Sequence, residues 1–174
     1  MLTRLLNNVP NLTKPRLFLA LGGLALAALA LAPGEAPAGW KLDNFHPAAR
    51  HRFAALFRRI EQHTGGKVVV TSTHRSSTFR SYHYFGLGVD FNVVIKGVWY
   101  KSTTRKARWE ATGVPKLIRD AGMRWGGDFV STPYDPIHAD LGRDYNIAAL
   151  QARARRMAGT ASTSSFDGRR VALA

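Results

Sequence analysis

The sequence predicts an α+β fold, a small and mainly antiparallel sheet with helices packed on one side, in a single domain. Short β-branched runs alternate with stretches of helical apolar spacing, and Lys96-Gly97 joins two of those runs as a hairpin turn. No internal repeat is visible, so one sheet with covering helices is the simplest packing.

Pro47–His63 is the first predicted helix. Phe53, Leu56, Phe57 and Ile60 recur at helical spacing, Pro47 suits a first turn and Gly65 stops it. Lys67–Thr73 (KVVVTST) is β-branched throughout and reads as a strand; Val89–Ile95 and Val98–Tyr100 read as two more. Val114, Leu117, Ile118 and Ala121 mark a helix that ends at Gly122, and a last helix runs over Asp144–Ala158. Trp40–Gly159 is therefore one domain, and residues 160–174 have the composition of a mobile tail.

Residues 1–39 read as a signal peptide or an N-terminal membrane anchor. Arg4, Lys14 and Arg16 precede the uncharged run Leu17–Ala32, and Ala36-Pro37-Ala38 resembles a cleavage site. Sixteen helical residues would span about 24 Å, short of a ~30 Å hydrocarbon core, which favours a cleaved leader. Left uncleaved, residues 17–32 would be the only membrane contact. Export to the periplasm or cell wall is expected on either reading.

The 174 residues carry 25 Lys+Arg against 11 Asp+Glu, a net charge of +14. Removing residues 1–39 takes away three basic residues and Glu35, so +12 belongs to the domain itself. Such a charge calls for a polyanionic partner. Anionic cell-wall polymers fit an exported chain, with Arg50–Arg59 and Arg153–Arg156 as contacts. Nucleic acid is not expected, since no helix-turn-helix, RNP-like or zinc-finger pattern occurs. There is no cysteine, which removes thiol nucleophiles, disulfides and every Cys-based metal site.

A transition-metal site would then need His with Asp or Glu. Six histidines are present (His46, His51, His63, His74, His83, His138), and none belongs to an H-E-x-x-H helix. Two elements stand out. In the first, His83 lies in a Gly-containing loop and Asp90 on the strand that follows; Gly86 and Gly88 let the loop turn so that His83 folds back beside Asp90. In the second, Asp135 and His138 share a segment rich in turn residues.

Each element alone is weak, because a histidine among aromatics is more often a packed core residue. Together, S-x-H-x-x-G-x-x-x-D (Ser81, His83, Gly86, Asp90), W-G-G-D (Trp125–Asp128) and D-x-x-H (Asp135, His138) resemble the zinc D-alanyl-D-alanine carboxypeptidase and L-alanyl-D-glutamate endopeptidase family, which includes phage endolysins. The resemblance spans about Val68–Asp140, with Gly88 where alanine is more usual. It implies that residues 40–159 form a zinc peptidase domain in which His83, Asp90 and His138 bind Zn2+ and Asp135 is the general base.

It also implies that Arg75 lies near the reacting carbonyl or a substrate carboxylate, with Arg80 as its rival. Ser81 would support the metal site or touch substrate, Trp125 would line the cleft, and His74 would lie near the site. The expected substrate is a peptidoglycan stem peptide, cut by a monomer at the L-alanyl–D-glutamate bond. Hydrolysis of D-alanyl-D-alanine on the same site, or a non-catalytic basic module for wall polymer or nucleic acid, is the alternative.

Overall fold

A computed structural model describes residues 37–130, 133–159 and 166–173. Helix α1 (Arg50–Thr64) leads into strands β1 (Lys67–Ser72), β2 (Gly88–Ile95) and β3 (Val98–Tyr100). Helices α2 (Lys106–Glu110) and α3 (Val114–Asp120) follow, then β4 (Arg124–Trp125), β5 (His138–Asp140) and α4 (Ile147–Ala158). The fold class is α+β, as the pattern predicts. Of the predicted leader only residues 37–39 are described, so the run 17–32 lies outside the described residues.

The helical apolar spacing places Phe53, Leu56, Phe57 and Ile60 in the core, and α1 ends at Gly65, whose φ of 61° is the left-handed geometry of a helix stop. The predicted start at Pro47 belongs instead to a 3-10 turn, Pro47–Ala49, capped by the His46 imidazole, which accepts from the Ala48 amide. Lys96 and Gly97 both have positive φ, 48° and 79°, the geometry a two-residue hairpin of this twist needs.

All pairings in the sheet are antiparallel, and β2 is its centre. β1 runs along one edge of β2, while β5 and β3 share the other edge at its two ends. β4 extends the sheet beyond β5. Alternation along β2 separates two environments. Val89, Phe91 and Val93 are fully buried, with Phe57 of α1 set edge-on to Phe91 at 5.6 Å between ring centres. Asp90 points to the opposite face.

β4, β5 and α2 have no counterpart in the prediction: their two to five residues carry no periodicity, and unlike the equally short β3 none follows a hairpin turn that would mark it. The tail also differs from expectation in its described part. Residues 166–173 pack onto the domain: Val171 is fully buried, and its carbonyl accepts from His46 Nε2 at 3.0 Å. A single buried valine with two backbone anchors outweighs a loop-like composition.

Candidate metal centre

Asp90 and His138 are direct cross-strand partners on β2 and β5, so their side chains leave the same face of the sheet. His83 arrives from a 3-10 turn, Tyr82–Phe85, which the Ser81 hydroxyl caps by accepting from the His83 amide. Gly86 closes that turn at φ 65°, and a Cβ there would collide with the His46 amide nitrogen. Gly88 has a different task from the one predicted. It is ordinary strand, and its missing side chain leaves room for the His138 ring, whose Cε1 would lie 3.2 Å from a Cβ.

Three atoms then face one another: His83 Nε2, Asp90 Oδ1 and His138 Nδ1. The imidazole nitrogens are 3.1 and 2.9 Å from the carboxylate oxygen and 3.2 Å from each other. Tetrahedral zinc with bonds of about 2.0–2.1 Å needs donor-to-donor edges of about 3.3 Å. Both imidazoles also have their outward nitrogens occupied. His83 Nδ1–H donates to the Thr73 carbonyl at 2.5 Å, and His138 Nε2–H donates to Asp140 at 2.9 Å. Each hydrogen bond selects the tautomer whose lone pair faces inward. All three residues are buried. The two inward nitrogens and the carboxylate oxygen crowd one point and need a proton or a metal cation between them, so the residues fit a divalent metal.

The next layer is equally ordered. Arg124 grips Asp140 through two bonds of 2.7 Å, and the Arg75 guanidinium ion-pairs with the second oxygen of Asp90. Burial pushes the Asp90 carboxyl up, yet its hydrogen bonds to His138 and His83 and their charges hold it well below the carboxylate range. For His138, burial lowers the pKa, but hydrogen bonds to Asp140 and Asp90 outweigh it and raise it to about 9. A metal would displace that proton.

The centre opens into a cleft of about 540 Å³ whose walls include Arg75, Arg80, Ser81, Asp135, Phe129 and Tyr134. Asp135 is half-buried there, and burial raises its pKa, with the Asp90 charge adding to the rise and His138 opposing it. Gly126 makes this placement possible. The Asp135 amide donates to the Gly126 carbonyl at 3.3 Å, and a Cβ on Gly126 would strike the Asp135 carbonyl oxygen.

The cleft thus gathers His83, Asp90, His138, Asp135, Arg75 and Ser81. Trp125 is not on its wall. It is 1% exposed in the core, where its indole N–H donates to the Pro136 carbonyl at 2.8 Å and braces the segment between Asp135 and His138. His74 turns away toward Tyr84 and Asp167. Sequence reasoning missed Asp140 and Arg124. The signal available was the His-x-Asp spacing on β5, which puts both side chains on one face.

Buried imidazoles and a carboxylate around one point, with a further carboxylate beside an open cleft, form a donor set suited to a divalent metal next to space for a substrate. Residues 74–141 match the family described as D-alanyl-D-alanine carboxypeptidase. Among solved structures, the L-Ala D-Glu endopeptidase ChiX of Serratia marcescens is similar at 22% identity and a TM-score of 0.46, covering 63% of this chain and 91% of that one. No curated protein matches.

Proposed function

We propose that the chain is an exported, zinc-dependent peptidase that cuts an amide bond in peptidoglycan stem peptides, of the L-alanyl–D-glutamate type. The observation that carries the reading is the inward-facing triangle of His83, Asp90 and His138 with both outer N–H groups engaged. Zinc held by His83, Asp90 and His138 would supply Lewis acidity, polarising a carbonyl and acidifying water at neutral pH. Asp135 takes a proton from the attacking water and returns one to the leaving amine; burial raises its pKa toward the range this task needs. Arg75 steadies Asp90 and stands at the cleft wall, within the space a reacting carbonyl would enter.

Arg80 also lines the cleft, and among the described residues no ion pair engages it. It is the better receiver for a carboxylate of the substrate, since Arg75 and Arg124 are committed to Asp90 and Asp140. The choice of the L-alanyl–D-glutamate bond follows the likeness of residues 81–91 and 125–129 to the endopeptidases of the family. The domain's positive charge suits an anionic wall surface, with attraction that fades as salt rises.

Mass spectrometry of fragments released from purified sacculi tests the reading. New termini at L-alanine and D-glutamate are expected. Release of terminal D-alanine alone would assign the carboxypeptidase reaction that the family description names. Asp135→Ala is expected to keep bound zinc and fold while losing hydrolysis by at least about a hundredfold. Full turnover by that variant, or activity that survives complete metal removal, would overturn the assignment.

A further inference from the structure

The segment Phe166–Leu173 lies beyond the span that matches the peptidase family, yet its contacts converge on the turn that carries His83. The Tyr84 hydroxyl, one residue from that ligand, donates to the Phe166 carbonyl at 2.5 Å. Gly168 lies flat on the same residue, and a Cβ there would overlap the Tyr84 ring and carbonyl. At the far end of the turn, the Gly86 carbonyl accepts from the His46 amide at 3.0 Å, and the His46 ring reaches the Val171 carbonyl.

The other support of His83 is touched as well. Thr73 accepts from His83 Nδ1, and its neighbour His74 places Nε2 3.5 Å from the Asp167 carboxylate. Asp167 in turn caps the segment's own turn, Gly168–Arg170, accepting from the Arg169 amide at 3.0 Å. So one short segment is tied to the turn just after the ligand, directly at Tyr84 and through His46 at Gly86, and lies against the strand end that fixes the ligand's tautomer. Asp90 and His138 need no such help, because their positions come from paired strands.

We propose that Phe166–Leu173 is a positioning strap for His83, and that metal affinity depends on it. This rests on the metal centre assigned above. Outer partners of a metal ligand typically govern affinity by about 10–100-fold. Full-length Gly168→Ala, which lifts the strap from Tyr84, is expected to weaken zinc binding by roughly tenfold or more in competition with a chelator. Tyr84→Phe, which removes one hydroxyl, is expected to weaken it by a few-fold.

Val114→Ala serves as the comparison, since Val114 is fully buried on α3 and touches no part of the centre. It should lower the melting temperature while leaving zinc affinity unchanged, and the visible spectrum of the cobalt(II) protein should shift only in the strap variants. Should Gly168→Ala fail to fold, Tyr84→Phe decides. Wild-type affinity in the strap variants, or an equal loss in Val114→Ala, overturns the strap. Absence of zinc binding by the wild type overturns the metal centre itself, and the strap with it.

Discussion

The two faces of β2 are held by different physics. On one, Val89, Phe91 and Val93 disappear completely beneath apolar neighbours, and nothing there depends on the direction of a bond. On the other, Asp90 meets His138, His83 and Arg75 in a set of directed contacts, each of which fixes the next. Packing tolerates replacement by shape, whereas the polar face tolerates almost none. The lesson is that one strand can serve as scaffold and as reagent because neighbouring residues never share a surroundings.

The largest expected effect breaks the polar face alone. His138→Ala should abolish zinc binding, measured as metal content after dialysis, while the circular dichroism spectrum stays that of the folded chain. Phe91→Ala breaks the other face: it should cost about 3–5 kcal/mol of stability in denaturant unfolding, with zinc stoichiometry retained in the folded fraction. If Phe91→Ala removed zinc as completely as His138→Ala, the faces would not be separable.

Next in size, Asp140→Asn keeps the shape but weakens the acceptor of the His138 N–H. Its zinc affinity should fall by about 10–100-fold in chelator competition. The same contact gives a pH dependence to the metal-free chain. A raised His138 pKa, from 6.5 to about 9, contributes stability that is complete below about 6.5 and lost as pH rises through about 9. The lowered carboxyls of Asp90 and Asp140 contribute above the usual carboxylate range and lose it in acid. The melting temperature of the chelator-treated protein should therefore decline between pH 6.5 and 9.5, and less steeply in Asp140→Asn. The smallest effect belongs to Gly88→Ala, whose methyl asks His138 to move by a few tenths of an ångström; affinity should change by less than about tenfold.

Much of this was legible in the chain itself. The helical spacing of Phe53, Leu56, Phe57 and Ile60 gave the core of α1, and the β-branched runs gave β1, β2 and β3. His83, Asp90, Asp135 and His138 could be singled out because their combined pattern resembles that of a known peptidase family, each element alone being weak. What stayed hidden was pairing between distant short strands. The register that puts Asp140 opposite both Gly88 and Arg124 leaves no local mark. Trp125 is of the same kind: a tryptophan beside two glycines suits a cleft wall or core packing equally, and only the carbonyl eleven residues away that takes its N–H decides for the core.

The direct opposition of Asp90 and His138 joins residues 48 positions apart. Sliding β5 by one residue would swing the imidazole into the oily interior and turn Ala139 outward, so a misaligned sheet could neither bury itself well nor chelate. A divalent ion bound there would consequently stabilise only the correctly registered sheet and so act as a check on strand alignment.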